Sequence, residues 1–269
     1  MIKKICTGIL GAVLALSLTT PSFAAKEVLR VGEDNLWNQS KAHIIDGTTY
    51  VSLRSLANIL APDAKVSWRD GAAWVEGEGL SLCAKPGDIF LCVNDRVLYI
   101  PDGVRLENGS VMVPIRVIAE ALDGRVEWSS QEGITLMTGS GQPQNAPYSA
   151  DDLYWMSRII SAESRGEPLM GKLAVGTVVL NRVDSTEFPN NIYDVIFDRK
   201  WGIQFQPVAN GTVYQEPTNE SILAAKMVLD GARVAGDSLY FLAPTLTDNY
   251  WIMENREYVT TIGVHWFYR

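Results

Sequence analysis

One pattern occurs twice in this chain, and it constrains the first half of the molecule more than any other feature. The first copy runs Ile45-Asp46-Gly47-Thr48-Thr49-Tyr50-Val51-Ser52-Leu53-Arg54-Ser55-Leu56-Ala57 and continues to Val66-Ser67-Trp68 and Ala73-Trp74-Val75. The second runs Leu106-Glu107-Asn108-Gly109-Ser110-Val111-Met112-Val113-Pro114-Ile115-Arg116-Val117-Ile118-Ala119 and continues to Val126-Glu127-Trp128 and Ile134-Thr135-Leu136. Arg54 matches Arg116, and Trp68 matches Trp128. In each copy an Asp-Gly or Asn-Gly pair predicts a tight turn between short strands. A short amphipathic helix and two β-rich strands follow. One such unit buries little alone, whereas two packed together can share a core. Residues 80–100 add further alternating strand patterns between the copies. A small β-rich domain built from two repeats is therefore expected over residues 25–138.

Ahead of this stands an address. Lys3 and Lys4 precede an apolar run from Ile9 to Leu18, Pro21 breaks it, and Ser22-Phe23-Ala24 offers small residues for cleavage. The run is shorter than the roughly 20 apolar residues a spanning helix needs. Residues 1–24 are expected to be a signal peptide, with no stable membrane span after its removal. The reading set against it is an uncleaved anchor. Export leaves Cys83 and Cys92 as the cysteines of the mature chain and permits a disulfide between them. They flank a turn-like stretch, and a stapled hairpin and two free thiols are equally compatible with that spacing.

Composition narrows the function. The net charge is −8, which argues against phosphate-directed nucleic-acid binding, and no nucleic-acid partner is expected. The chain has two distant histidines, His43 and His265, and no CxxC, which argues against a metal site and against a cysteine–histidine protease. No metal and no cofactor are expected. The first half resembles the copper amine oxidase N-terminal-like, or stalk, domain. His43 stands alone there, so the name brings no copper site. Core packing is the expected role of Trp68, Trp74 and Trp128, ahead of stacking on carbohydrate. The half reads as a spacer or wall-association module of unknown ligand.

Gly139 to Pro147 is uncharged and rich in Gly, Pro and polar residues, a linker over residues 139–148. Beyond it the chain turns helical. Ser149 and Asp152 are spaced as a capping box. Leu153, Met156, Ile160 and Glu163 then fall at helical spacing, which puts Glu163 on the apolar stripe in the last turn. A carboxylate on an inward face must be paired, hydrogen-bonded or protonated. In a partly apolar pocket its pKa rises toward neutrality and it can donate a proton. The alternative is an ion pair with Arg158 or Arg165. Gly171, Ala174 and Gly176 permit close packing of the next helix. Helices beside short strands give an α+β class.

Ala162-Glu163-Ser164-Arg165-Gly166-Glu167, Gly171 to Arg182, Phe188-Pro189, Gln204-Phe205-Gln206-Pro207-Val208, Leu239-Tyr240-Phe241, and Thr260 to Gly263 with His265 and Phe267-Tyr268 appear in one order. Together they resemble the catalytic domain of the SleB-type cell-wall hydrolases, the spore cortex-lytic enzyme family, over residues 149–269. The resemblance implies a lysozyme-like fold, peptidoglycan as partner and substrate, and cleavage between N-acetylmuramic acid and N-acetylglucosamine. It also implies Glu163 as the acid of a lytic transglycosylase. Phe205, Gln206, Tyr240 and Phe241 are the candidate substrate wall, with core packing the competing role for Phe205 and Phe241. Glu167 is the candidate supporting carboxylate, set against a structural pairing with Arg165 or Arg182. Asp184 and Glu187 read as surface charges, and His265 as a satisfied structural histidine. The rivals are hydrolysis by water, an amide-cleaving wall hydrolase, and a non-catalytic wall-binding or spore-structural protein. The sequence leaves the oligomeric state open.

Overall fold

The computed structural model describes residues 28–31, 34–35, 42–129, 134–139, 142–200, 202–247 and 250–269. The proposed signal peptide lies outside them. Strands β1 (Val28–Val31) and β2 (Asp34–Asn35) lead into the hairpin β3 (Ala42–Ile45) and β4 (Thr48–Ser52) and the helix α1 (Leu53–Leu60). Next come β5 (Lys65–Arg69), β6 (Ala72–Gly77), β7 (Leu80–Ala84), β8 (Phe90–Val93) and β9 (Arg96–Tyr99). A second hairpin, β10 (Arg105–Glu107) and β11 (Ser110–Pro114), leads into α2 (Ile115–Ala121), β12 (Gly124–Ser129) and β13 (Ile134–Gly139).

The hairpins form for the reason the sequence gives. Asp46 and Gly47 have φ of +49° and +80°, and Asn108 and Gly109 have +48° and +74°. A two-residue turn whose central residues both have positive φ matches the twist of its strands, and Asn, Asp and Gly tolerate that region best. The hairpins join through β4 and β11, antiparallel with Val51 opposite Val113, in a sheet ordered β10-β11-β4-β3. Both helices cover that sheet, and Leu56, Ile115 and Ile118 meet Val51 and Val113 in one apolar core. Strands β5 to β9 form an antiparallel meander, while β1 runs parallel to β13.

The second half begins with α3 (Ala150–Ser164), α4 (Leu169–Asp184) and α5 (Ile192–Phe197). It continues with α6 (Gln206–Asn210), a 3-10 turn at Thr212–Tyr214 and α7 (Asn219–Leu229). Strand β14 (Tyr240–Leu242), helix α8 (Trp251–Asn255) and strands β15 (Tyr258–Ile262) and β16 (His265–Tyr268) complete it, with sheet order β14-β16-β15. Helices α3, α4 and α7 pack on one another around Met156, Ile160, Val179 and Val228. The contact is closest at Gly176. A Cβ there would lie 2.9 Å from Ile160 Cδ1 and 2.9 Å from Val228 Cγ2. Among the described residues no helix is long and apolar enough to cross a membrane.

The two halves touch. Strand β9 lies against α7, and Val97 joins the apolar core of the second half. Arg96, 4% exposed, donates through Nε and Nη2 to Asp230 Oδ1 at 2.9 and 2.7 Å, and its Nη2 also reaches Glu120 at 3.2 Å. Lys226 Nζ donates to the Asp95 carbonyl at 3.0 Å.

Several expectations need correcting. Trp68 is 53% exposed, not core, because β5 is the edge strand of its sheet. Trp74 is half-buried and carries the Arg69 guanidinium 4.1 Å from its ring. The Trp128 side chain lies outside the described residues. Cys83 and Cys92 face each other across β7 and β8 as free thiols, the second of the two readings their spacing left open. Burial, reinforced by Cys92, pushes the Cys83 thiol up to about 11. The stretch from Gln204 to Val208 turns into α6 at Gln206.

Candidate active site

Helix α3 delivers Glu163. Its start is fixed by a reciprocal cap: Asp152 N–H donates to Ser149 Oγ at 3.0 Å, and Ser149 N–H to Asp152 Oδ2 at 3.0 Å. Met156 and Ile160 are fully buried on its inner face, and Glu163 extends that face into the last turn. The carboxyl is half-buried, and among the described residues it makes no hydrogen bond and no ion pair. Burial pushes it up to about 7, while the Arg182 charge pulls the other way. A carboxyl with that value is about half protonated at neutral pH, near the optimum for general acid–base work.

Arg182 comes from the last turn of α4 and is 4% exposed. Its Nε donates to the Leu239 carbonyl at 2.7 Å, which ties α4 to the chain entering β14. The guanidinium lies 4.8 Å from the Phe188 ring, 5.0 Å from Phe205 and 5.6 Å from Tyr240. Burial lowers its pKa to about 10, so it remains a cation. Its Nη1 is buried without a hydrogen-bond partner among the described residues.

Arg182 also lines a cavity of about 740 Å³, large enough for a sugar-sized ligand. Phe188, Gln204, Tyr240, Phe241, Trp251 and Arg256 share its wall, and Lys200 and Glu187 stand at it too. Glu163 is not itself among the residues lining the cavity; Arg182, whose charge acts on the Glu163 carboxyl, is the link between them.

The candidate wall residues divide. Tyr240 and Phe241 line the cavity. Phe205, 2% exposed, lies behind it as support, 6.4 Å ring to ring from Phe241. Gln206 is exposed at the start of α6, and Gln204 is the glutamine at the cavity wall. Glu167 pairs with neither Arg165 nor Arg182. Its Oε2 accepts from the Val264 N–H at 3.1 Å. A side chain on Gly263, φ +61°, would overlap that carboxylate, so the β15–β16 turn needs glycine there. Glu167 therefore holds a backbone turn. His265 is buried edge-on to Phe241 at 5.3 Å, but its Nδ1 has no partner among the described residues, so it is structural without being fully satisfied. Asp184 faces Arg233 at 3.7 Å, whereas Glu187, exposed as expected, stands at the cavity.

Sequence reasoning missed Arg182, Lys200, Trp251 and Arg256 as cavity residues. A lone arginine closing the apolar α4 was the available signal for Arg182. Arg256 carried none, since it gains its place only when α8 folds back beside β14. Among the described residues, no group of three or more His, Cys, Asp or Glu is arranged to hold a metal ion.

Residues 166–268 match the Cell Wall Hydrolase family, and residues 31–136 match the Copper amine oxidase N-terminal domain. The first match begins at Gly166, beyond Glu163. The chain is 37% identical over 120 residues to a spore cortex-lytic enzyme of Bacillus cereus, covering 45% of each protein. It is 35% identical over 122 residues to one from Halalkalibacterium halodurans, covering 45% of this chain and 36% of that one. It thus spans under half the length of these relatives. The solved catalytic domain of the germination-specific lytic transglycosylase SleB from Bacillus anthracis is 35% identical, with a TM-score of 0.42 over 47% of this chain and 100% of that one.

Proposed function

We propose that this chain, which carries a cell wall hydrolase domain behind a copper amine oxidase N-terminal domain, is an exported enzyme that cleaves the N-acetylmuramic acid–N-acetylglucosamine bond of peptidoglycan as a lytic transglycosylase. The observation that supports this best is the raised, unpaired Glu163 carboxyl beside Arg182, which lines a sugar-sized cavity. Protonated Glu163 gives its proton to the glycosidic oxygen as the C1–O bond breaks. The carboxylate that remains takes the proton of the sugar's own 6-hydroxyl, whose oxygen bonds to C1. The product ends in 1,6-anhydromuramic acid, no water is consumed, and Glu163 returns protonated.

Glu167 supports a one-carboxylate scheme because its oxygen already holds the Val264 N–H. Tyr240 and Phe241 would wall the sugar, with Phe205 behind them. Glu187 at the cavity favours a second reading, hydrolysis, in which a second carboxylate activates water. The reading includes a signal peptide at 1–24, a two-repeat stalk at 25–138, a linker at 139–148, and a lysozyme-like domain at 149–269. The recurrence of hairpin, helix and hairpin in β3 to β6 and β10 to β13 supports the repeats. The site of action would be the wall or spore cortex, outside the cytoplasm.

Mass spectrometry of digested peptidoglycan tests this. Anhydromuramic ends support the transglycosylase, reducing muramic ends establish hydrolysis, and free stem peptides would mean an amidase. An undigested wall that still binds the protein would leave a wall-binding role.

A further inference from the structure

The cavity concentrates positive charge in an acidic protein. The chain has a net charge of −8, yet among the described residues Arg182, Lys200 and Arg256 line this cavity with Glu187 as the one lining acid, while Asp198 and Glu163 also act on Arg182. Arg256 and Arg182 both lie over the Tyr240 ring, 4.5 and 5.6 Å from its centroid. Among the described residues each has a buried N–H without a partner, Nε in Arg256 and Nη1 in Arg182. A buried donor left unpaired is costly, so such groups in a cavity wall point to an acceptor that arrives with a ligand. Two guanidinium groups select a carboxylate over a neutral carbonyl, because the planar fork and the charge both favour it.

Resting on the reading of the substrate above, we infer that this cavity is a carboxylate subsite, in which Arg182 and Arg256 hold an anionic substituent of the muramic acid residue. The carboxylate is either the lactyl group's own or the free carboxylate of the attached peptide. An anion seated on Arg182 would also weaken that residue's pull on Glu163 and favour its protonated, proton-donating form.

The test is a binding titration of the full chain, followed by the NMR signals of the arginine Nε–H groups. The probes are N-acetylmuramic acid, N-acetylmuramyl-L-alanine and neutral N-acetylglucosamine. The expected result is that one or both anionic sugars bind about tenfold tighter than the neutral one. That preference should vanish in Arg256→Gln and survive in part in Arg256→Lys. The tighter of the two anionic sugars identifies which carboxylate is read. Should the Gln variant unfold, salt replaces it: the wild-type preference must shrink as ionic strength rises. Equal binding of charged and neutral sugars overturns the inference. So does a preference untouched by Arg256→Gln or by salt. Because binding is read without turnover, the two ideas separate. Carboxylate selection without wall cleavage would sink only the proposed activity, and cleavage without selection would sink only the subsite.

Discussion

The two halves of this protein treat charge in opposite ways. In the β-rich half the core around Leu56, Val113 and Ile118 is apolar, and the charges are mated at the surface, Arg69 with Glu76 and Arg105 with Asp46. In the helical half Arg158, Lys172 and Arg182 are buried, and among the described residues Arg158 Nε, Arg182 Nη1, Arg256 Nε and His265 Nδ1 lack partners, where the β-rich half leaves only the neutral Ser67 Oγ and Trp74 Nε1 so. Burying polar groups without full satisfaction lowers stability, and folds tolerate it where a ligand or a reaction uses those groups. The first half is built to persist, and the second holds groups ready for something outside itself.

The sharpest way to break that contrast is Glu163→Gln. The amide keeps the shape and removes the proton, so turnover should fall by about 10²–10⁴-fold, the usual contribution of a general acid. Clearance of a wall suspension measures it, and a folded variant with near-normal clearance would refute the assignment. The same variant tests whether Glu163 lowers stability. Glu163 holds its proton more tightly folded than unfolded, at about 7 against an ordinary value of 4.5. Its contribution is therefore complete below about 4.5 and is lost as pH rises through about 7, by about 1–3 kcal/mol. Thermal melts should show Glu163→Gln more stable than wild type at pH 8, with the gap closing by pH 5. An equal gap at both pH values would show that the carboxyl is not buried enough to matter.

Arg96 is the exception within the first half, a buried cation whose partner Asp230 lies 134 residues away in the second. Arg96→Ala leaves the Asp230 carboxylate, 0% exposed, without its counter-charge. Breaking a buried pair this way costs about 3–5 kcal/mol. Urea unfolding should show that loss and a separation of the two halves' transitions. A single transition at the wild-type midpoint would mean the halves do not depend on this junction. Next in size is Gly176→Ala. The added methyl must displace Ile160 or Val228, and overpacking of that kind costs about 1–3 kcal/mol, of which improved helix propensity returns up to about 1. A rise in the melting temperature would show that α3 and α7 yield there.

How much was legible in the sequence follows the same division. The Asp-Gly and Asn-Gly turns, the Ser149 cap and the position of Glu163 on α3 are local, set by spacings of a few residues, and the structure places them where those spacings require. The cavity is not local. Arg182 ends α4, Gln204 precedes α6, Tyr240 belongs to β14 and Arg256 follows α8, so only the tertiary fold brings them together. Glu167 shows the limit best. Its motif neighbours made a partner of Arg165 or Arg182 natural, while the donor it found, Val264, is 97 residues on. Trp68 was misjudged for a related reason, because which strand is the edge is decided by pairing rather than by composition.

The smallest expected effect completes the comparison. Arg69 has the best surface geometry in the first half: two hydrogen bonds to Glu76, at 2.9 and 2.8 Å, and a place 4.1 Å from the Trp74 ring. Geometry alone would rank it above the Arg96 contact to Glu120 at 3.2 Å. Solvent decides otherwise. Both partners stand in water, which weakens their attraction and would solvate either one left alone. Arg69→Ala should shift the urea midpoint far less than Arg96→Ala, and the shift should disappear in high salt, where surface charges are screened. If Arg69→Ala instead matched Arg96→Ala, the β-rich half would depend on its charges as the helical half does, and the division between them would fail.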